Sequence, residues 1–178
     1  YRLRNSTERS GQLYGLTNKA NLYTINPETG AAILVNTLKA ATDSTFTTLE
    51  GTAFAVDFNP AADRLRVISN TGQSLRINVD TGDTIRDGDI KGIAGAIISA
   101  AAYSNSFKTS VVGLATELFD LDQTNQIVVK QDPPNTGTLN RIGGLGINLG
   151  LDNGFDIAGG DNGYALATVA NASGPSVL

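Results

Sequence analysis

The chain has no histidine and no cysteine, so it lacks the usual general base and the commonest metal ligands, and a metal-assisted reaction would rest on carboxylates. A Ser-His-Asp triad, a Cys-His dyad and a histidine zinc site are excluded, as are disulfides and thiolate metal centres. Two carboxylates stand out by position. Asp57 in Ala55-Val56-Asp57-Phe58 and Asp156 in Phe155-Asp156-Ile157-Ala158 sit at matching places in two related segments. As a pair they could bind a cation or polar ligand, and with a metal they could serve a hydrolase that needs no imidazole. The plainer reading is that each carboxylate accepts backbone N–H bonds from the following turn. Repetition favours the plainer reading, because structural residues repeat with their unit and catalytic ones rarely do.

Other clusters carry less chemistry. Asp120, Asp122 and Asn125, like Asp152, Asn153, Asp161 and Asn162, are oxygen-rich in the way calcium loops are. No loop has the regular acidic spacing closed by a bidentate Glu, so calcium has no motif here, and Asx residues populate turns for their own reasons. Gly143-Gly144-Leu145-Gly146 fails the spacing of a phosphate-binding loop. The alternating arginines of Asp63-Arg64-Leu65-Arg66 and Tyr1-Arg2-Leu3-Arg4 could recognise anions, but they read more simply as solvated strand faces. Asn5-Ser6-Thr7 and Asn171-Ala172-Ser173 match the glycosylation triplet. Thirteen basic against 17 acidic residues give a net charge of −4, no footprint for nucleic acid. No apolar run reaches the roughly 18 residues of a membrane span.

The elements that must position these residues are legible in a repeat. Leu13–Leu38 reads LYGLTNKANLYTINPETGAAILVNTL, and Leu65–Ile85 reads LRVISNTGQSLRINVDTGDTI. Ile25 and Ile77 are 52 residues apart, as are Thr29-Gly30 and Thr81-Gly82; a looser copy is LFDLDQTNQIVV around Leu121. Units this small cannot bury their own apolar faces, so neighbours must supply one another's core. Short Val/Ile/Leu/Tyr runs bounded by Asn, Asp, Gly and Pro read as strands. Further strands, Ala55–Phe58, Phe155–Ala158 and Ala101–Tyr103, precede the units.

The spacing therefore predicts a single all-β domain over residues 1–178, a β-propeller-like array of about four four-stranded antiparallel blades. A linear β-solenoid is the alternative. Only Ile93–Ala102 is ambiguous between helix and strand. Leu13, Leu16, Ile25, Val56, Phe58, Val67, Ile77, Leu118, Leu121, Phe155, Ile157 and Leu166 are the expected core. Gly30 and Gly82 are expected at positive φ in equivalent turns.

The ends are unusual. The last unit stops at Ser176-Val177-Leu178, where a third strand should begin, and Tyr1, Arg2 and Leu3 would continue it. Ring closure by strands from both ends, strand exchange between subunits and truncation of a longer chain all account for this. Strand exchange makes Tyr1, Arg2, Leu3, Val177 and Leu178 an assembly site. The absence of Met means Tyr1 is not a translation start; a processed chain or an excerpt is expected.

The stretch from Leu49 to Asp83 closely resembles an uncharacterised family of exported bacterial β-propeller-like proteins, a domain of unknown function. Glu117–Asp122, Asp132–Gly137 and Gly154–Gly160 carry the same likeness. The resemblance implies the propeller-like fold and a secreted or cell-surface address. Members usually have a further blade-like segment before the position of Tyr1 and a strand pair after Leu178. Asn5–Ser10 looks like a short insertion. The family is more distantly similar to quinoprotein-type propellers, but no cofactor motif carries across, and it implies no reaction. Two functions remain in view. One is a non-catalytic extracellular structural module, a filament, sheath or matrix subunit that self-associates through terminal strands and needs no cofactor. The other is a propeller that binds a ligand or cation at its channel mouth, or a metal-assisted hydrolase.

Overall fold

The computed structural model describes residues 2–3, 11–106, 116–150, 152–159 and 164–169, and the fold below is that of these residues. Strands dominate, because β-branched and aromatic runs of four to six residues alternate with Asx-Gly turns. The first sheet runs in order β1 (Arg2–Leu3), β2 (Leu13–Leu16), β3 (Asn21–Ile25) and β4 (Ala32–Thr37). The second holds β5 (Lys39–Ala40), β6 (Phe54–Asn59), β7 (Arg64–Ser69), β8 (Ser74–Ile77) and β9 (Asp83–Arg86), in spatial order β5-β9-β8-β7-β6. The third is β10 (Ile98–Tyr103), β11 (Leu118–Asp122), β12 (Ile127–Gln131) and β13 (Leu139–Gly144). The fourth pairs β14 (Asn153–Ile157) with β15 (Ala165–Val169). All ladders are antiparallel except β5–β9, and none of the four sheets closes into a barrel.

The 52-residue repeat maps β2-β3-β4 onto β7-β8-β9. Its turns are copies in detail. Gly30 N donates to Asn26 O at 2.8 Å, and Gly82 N donates to Asn78 O at the same distance. Their φ angles are +71° and +77°, the left-handed region that glycine enters without penalty. Asn26 Oδ1 accepts the N–H of Glu28 and Thr29, and Asn78 Oδ1 accepts that of Asp80, so each asparagine folds its own turn. Ile93–Ala102 resolves as loop then strand: β10 begins at Ile98 and is buried throughout.

No sheet carries a core of its own. Tyr14, Leu22, Leu38 and Phe46 of the first unit pack on Phe58, Leu65, Leu75 and Ile77 of the second. Tyr14 and Phe58 meet edge to face with ring centroids 5.5 Å apart, an arrangement that contributes about 1 kcal/mol beyond burial. Ala55 and Ile68 then pack on Ile98, Ala101, Tyr103 and Leu118 of the third sheet, and Ala100 and Leu121 on Val169 of the fourth. Along this series β6 lies against both β1 and β10, and β10 lies against β14, so one edge strand of each sheet neighbours that of the next.

Most of the expected core is buried, with Leu16, Ile25, Val56 and Phe155 half-buried. Leu166 is a correction: it is 51% exposed. It stands opposite Asp156 in the β14–β15 ladder, whereas Phe155 and Ala167, one residue on, face the core. With a period of two, a one-residue misreading moves the side chain to the other face.

Candidate functional site

The sheets are joined at an outer and an inner place, and the outer joint recurs from one pair of sheets to the next. The outer joint begins where the chain leaves each sheet. Leu38 N donates to Ala20 O at 2.8 Å, Ile90 N to Gly72 O at 2.9 Å, and Leu145 N to Gln126 O at 3.0 Å. Each bond ties the departing chain to the β-turn of its own sheet. The next residue crosses over. Lys39 N donates to Gly82 O at 3.0 Å, and Lys91 N donates to Gly137 O at 2.9 Å. The resulting contacts, Lys39 beside Asp83 and Lys91 beside Thr138, are both parallel. Glycine is needed at the receiving turn for a second reason. A methyl group at Gly82 would lie 2.6 Å from Thr37 O, and one at Gly137 would lie 2.2 Å from Asp89 O.

The inner joint is polar and buried. Asp57 Oδ1 accepts the N–H of Phe58 and its Oδ2 accepts that of Tyr103, both at 2.6 Å. One carboxylate thus ties the second sheet to the third. Asp57 accepts backbone N–H bonds, but neither of these two comes from the following turn: Phe58 is the next residue of β6, and Tyr103 belongs to the neighbouring sheet. Arg66, expected on a solvated face, is fully buried. β7 lies inside a stack of sheets, where neither face meets water. Its guanidinium donates to Tyr103 Oη, Ser74 Oγ, Asp87 Oδ2 at 2.6 Å and Asn135 Oδ1 at 2.7 Å. Arg76 grips the same Asp87 through two bonds of 2.7 and 2.8 Å. Burial works to lower the Arg66 pKa, but Tyr103 and Asp87 outweigh it and hold the group more firmly charged. Burial likewise raises Tyr103, against the opposing pull of Arg66.

Asp120 is the residue that the sequence did not single out for this place. It shares a face of the third sheet with Ala101 and Val129 and is fully buried. Neither carboxylate oxygen has a hydrogen-bond partner among the described residues, nor does Gln131 Oε1 nearby on β12. Burial pushes its pKa up to about 8, only partly offset by Arg66. At neutral pH the side chain is therefore mostly a neutral carboxylic acid.

The remaining candidates separate. Asp156 lies exposed on β14, with β10 between its strand and that of Asp57, so the two are not a pair. Asp122 spends its oxygens on the N–H of Ile97, Thr124 and Asn125 and on the Asn125 amide. Asn153 donates to Ser99 Oγ and Gly150 O. Among the described residues no three acidic side chains gather as a cation site would require. Gly143 and Gly144 belong to β13. Arg2 and Leu3 pair with Tyr14 and Leu13 as the first strand of the first sheet, which differs from their expected place as a continuation of the last. Tyr1, Val177, Leu178, Asn5, Asn171, Asp161 and Asn162 lie outside the described residues. A cleft of 420 Å³ opens where all four sheets approach, lined by Tyr14, Leu16, Phe54, Ser99 and Asn153 among others. A more apolar cleft of 570 Å³ lies between the third and fourth sheets, around Phe119, Val128 and Phe155. No helix among the described residues is long and apolar enough to cross a membrane.

No curated protein matches this sequence. Among solved structures, an auxiliary nutrient binding protein from Bacteroides thetaiotaomicron VPI-5482 is similar over 83% of this chain, at 13% identity and a TM-score of 0.48. The chain spans 40% of the length of that protein. A family model described as a domain of unknown function, DUF4394, matches residues 6–178, and the chain belongs to that family.

Proposed function

We propose that the chain is a non-catalytic structural module of an extracellular or cell-surface assembly. In this reading it is a β-propeller-like array of about four blades, and its copies join by strand pairing at sheet edges. The observation that carries the reading is the outer joint. Successive sheets are held by main-chain bonds from the exit segment of one to the outer strand of the next, at Lys39–Asp83 and again at Lys91–Thr138. A joint of this kind is made by main-chain groups at a glycine turn, so it can operate between chains as well as within one. The succession of β1, β6, β10 and β14 supports the radial arrangement. Arg66 and Tyr103 are enclosed in the inner joint, where their hydrogen bond ties the second sheet to the third.

Size-exclusion chromatography with light scattering, and electron microscopy of the native material, test the reading. Multi-subunit species that grow with concentration are expected; a strict monomer at every concentration overturns it. The terminal segments belong to the proposal too. β1 pairs with Leu13 and Tyr14 of β2. Deleting residues 1–5 is expected to weaken assembly while the second and third sheets stay folded. A second reading, a small polar ligand at the meeting point of the sheets, is favoured by the 420 Å³ cleft with Ser99 and Asn153 in its wall. A panel of sugars and divalent cations in thermal-shift assays tests it; no shift with any of them removes it.

A further inference from the structure

Between the second and third sheets lie one buried donor and three buried acceptors with no hydrogen-bond partner among the described residues. Ala55 and Ile68 of the second sheet pack on Ala101 and Val129 of the third. Arg66 shares the strand face of Ile68, and Asp120 stands between Ala101 and Val129 in the ladders, so guanidinium and carboxyl belong to one layer. Arg66 acts electrostatically on Asp120 across that layer. Of the five N–H groups of a guanidinium, four are bound, to Tyr103 Oη, Ser74 Oγ, Asp87 Oδ2 and Asn135 Oδ1, which leaves one on Nη2. Both oxygens of Asp120 are unbound, and so is Gln131 Oε1. Gln131 stands two residues beyond Val129 on β12, a diagonal neighbour of Asp120 on the same face and within reach of a long side chain. Its amide nitrogen is fixed on Pro134 O, so the oxygen is the end left over.

The other charged groups facing this layer are committed. Asp57 on β6 accepts from Phe58 and Tyr103, and Asp87 is held by Arg66 and Arg76. Asp122, on the same face of β11, accepts from Ile97, Thr124 and Asn125. Arg141 on β13 is exposed. Tyr103 on β10 keeps its proton beyond the ordinary value of 10.0, because burial raises it.

We propose that Asp120 changes partner with its proton. As a carboxylic acid it donates its O–H to Gln131 Oε1, within the third sheet. As a carboxylate it accepts the remaining N–H of Arg66 and so bonds the second sheet to the third; the proton passes to water. A carboxyl has both capacities, donor when protonated and acceptor when ionised, and one unused partner stands ready for each. Burial favours the acid, and the charge-assisted bond to Arg66 makes the ionised form tolerable. The exchange falls at about pH 8. Above it the interface gains a side-chain bond, and the loss of stability that accumulates as pH rises towards 8 stops.

Carbon and nitrogen NMR of the intact wild-type chain reads both partners in one titration. The Asp120 carboxyl carbon is expected to titrate at about pH 8, with the Gln131 side-chain carbonyl and the Arg66 guanidinium nitrogens moving at the same midpoint. Gln131→Met removes the acceptor of the acid form and is expected to lower that midpoint by roughly one pH unit. In Asp120→Asn the Arg66 and Gln131 signals are expected to stay still over the same range. A titration in which no carboxyl changes above the ordinary carboxylate range overturns the proposal. So does one in which Asp120 titrates while Arg66 is silent. A Gln131→Met midpoint that is unchanged or higher overturns the contact of the acid form. The wild-type signals decide between these outcomes even if a variant does not fold.

Discussion

The most consequential side chains of this molecule are those that have given up water. Asp120 has a folded pKa near 8 against an ordinary value of 3.8, and burial is the main cause. A carboxyl whose folded pKa is raised favours folding while it is protonated and loses that advantage as pH rises. Between pH 4 and 8 the unfolded chain has released this proton and the folded chain has not, so stability falls across that window. Asp120→Asn keeps the shape and removes the titration. The melting temperature of the variant relative to wild type is expected to climb steadily from pH 4 to 8; a difference independent of pH would show that Asp120 is hydrated or paired. Arg66 is the converse case, a buried charge with four partners. Arg66→Met leaves Asn135 and Tyr103 without their donor in an enclosed site. Removing one partner of a buried charge cluster costs about 3–5 kcal/mol, or roughly 10 °C in a domain of this size. A loss within 2–3 °C would mean that Arg76 alone can satisfy Asp87 and that the remaining acceptors find water.

At the scale of elements, the turn glycines separate two demands that are usually confounded. Gly30, Gly82 and Gly137 share positive φ, at +71°, +77° and +70°, but only the last two lie against an incoming backbone. Gly30→Ala is expected to cost about 1 kcal/mol for the left-handed conformation alone. Gly82→Ala and Gly137→Ala should cost clearly more, because Thr37 O and Asp89 O must retreat and the joint opens. Urea denaturation of the three variants checks the order; equal losses would mean that the joints contribute little. The turns themselves were legible in the sequence, since Asn, Thr and Gly recur at fixed spacing and each has a local physical role. Burial at β7 was not. Arg64 and Arg66 alternate as a solvated face would, and nothing local tells that a third sheet covers the inner one. The Leu166 face was missed for a related reason: a five-residue strand with apolar residues on both faces does not fix its own phase. The place of Asp120 was invisible because its neighbours, Ala101, Val129 and Tyr103, come from other strands.

For the whole molecule, the point that matters is that successive sheets share their cores. Tyr14 and Leu22 of the first sheet pack on Phe58 and Leu65 of the second, Ala55 and Ile68 of the second on Ile98 and Leu118 of the third, and Ala100 and Leu121 of the third on Val169 of the fourth. A sheet that cannot bury its apolar face alone loses its support when a neighbour opens, so damage at one interface spreads along the series. Leu118→Ala leaves a cavity between the second and third sheets and is expected to cost about 2–5 kcal/mol. Urea unfolding of this variant, followed by far-ultraviolet circular dichroism and by tyrosine fluorescence, is expected to give one coincident transition at a lower midpoint with an unchanged slope. Two separated transitions would show that the first two sheets hold together without the third, and that each interface stands alone.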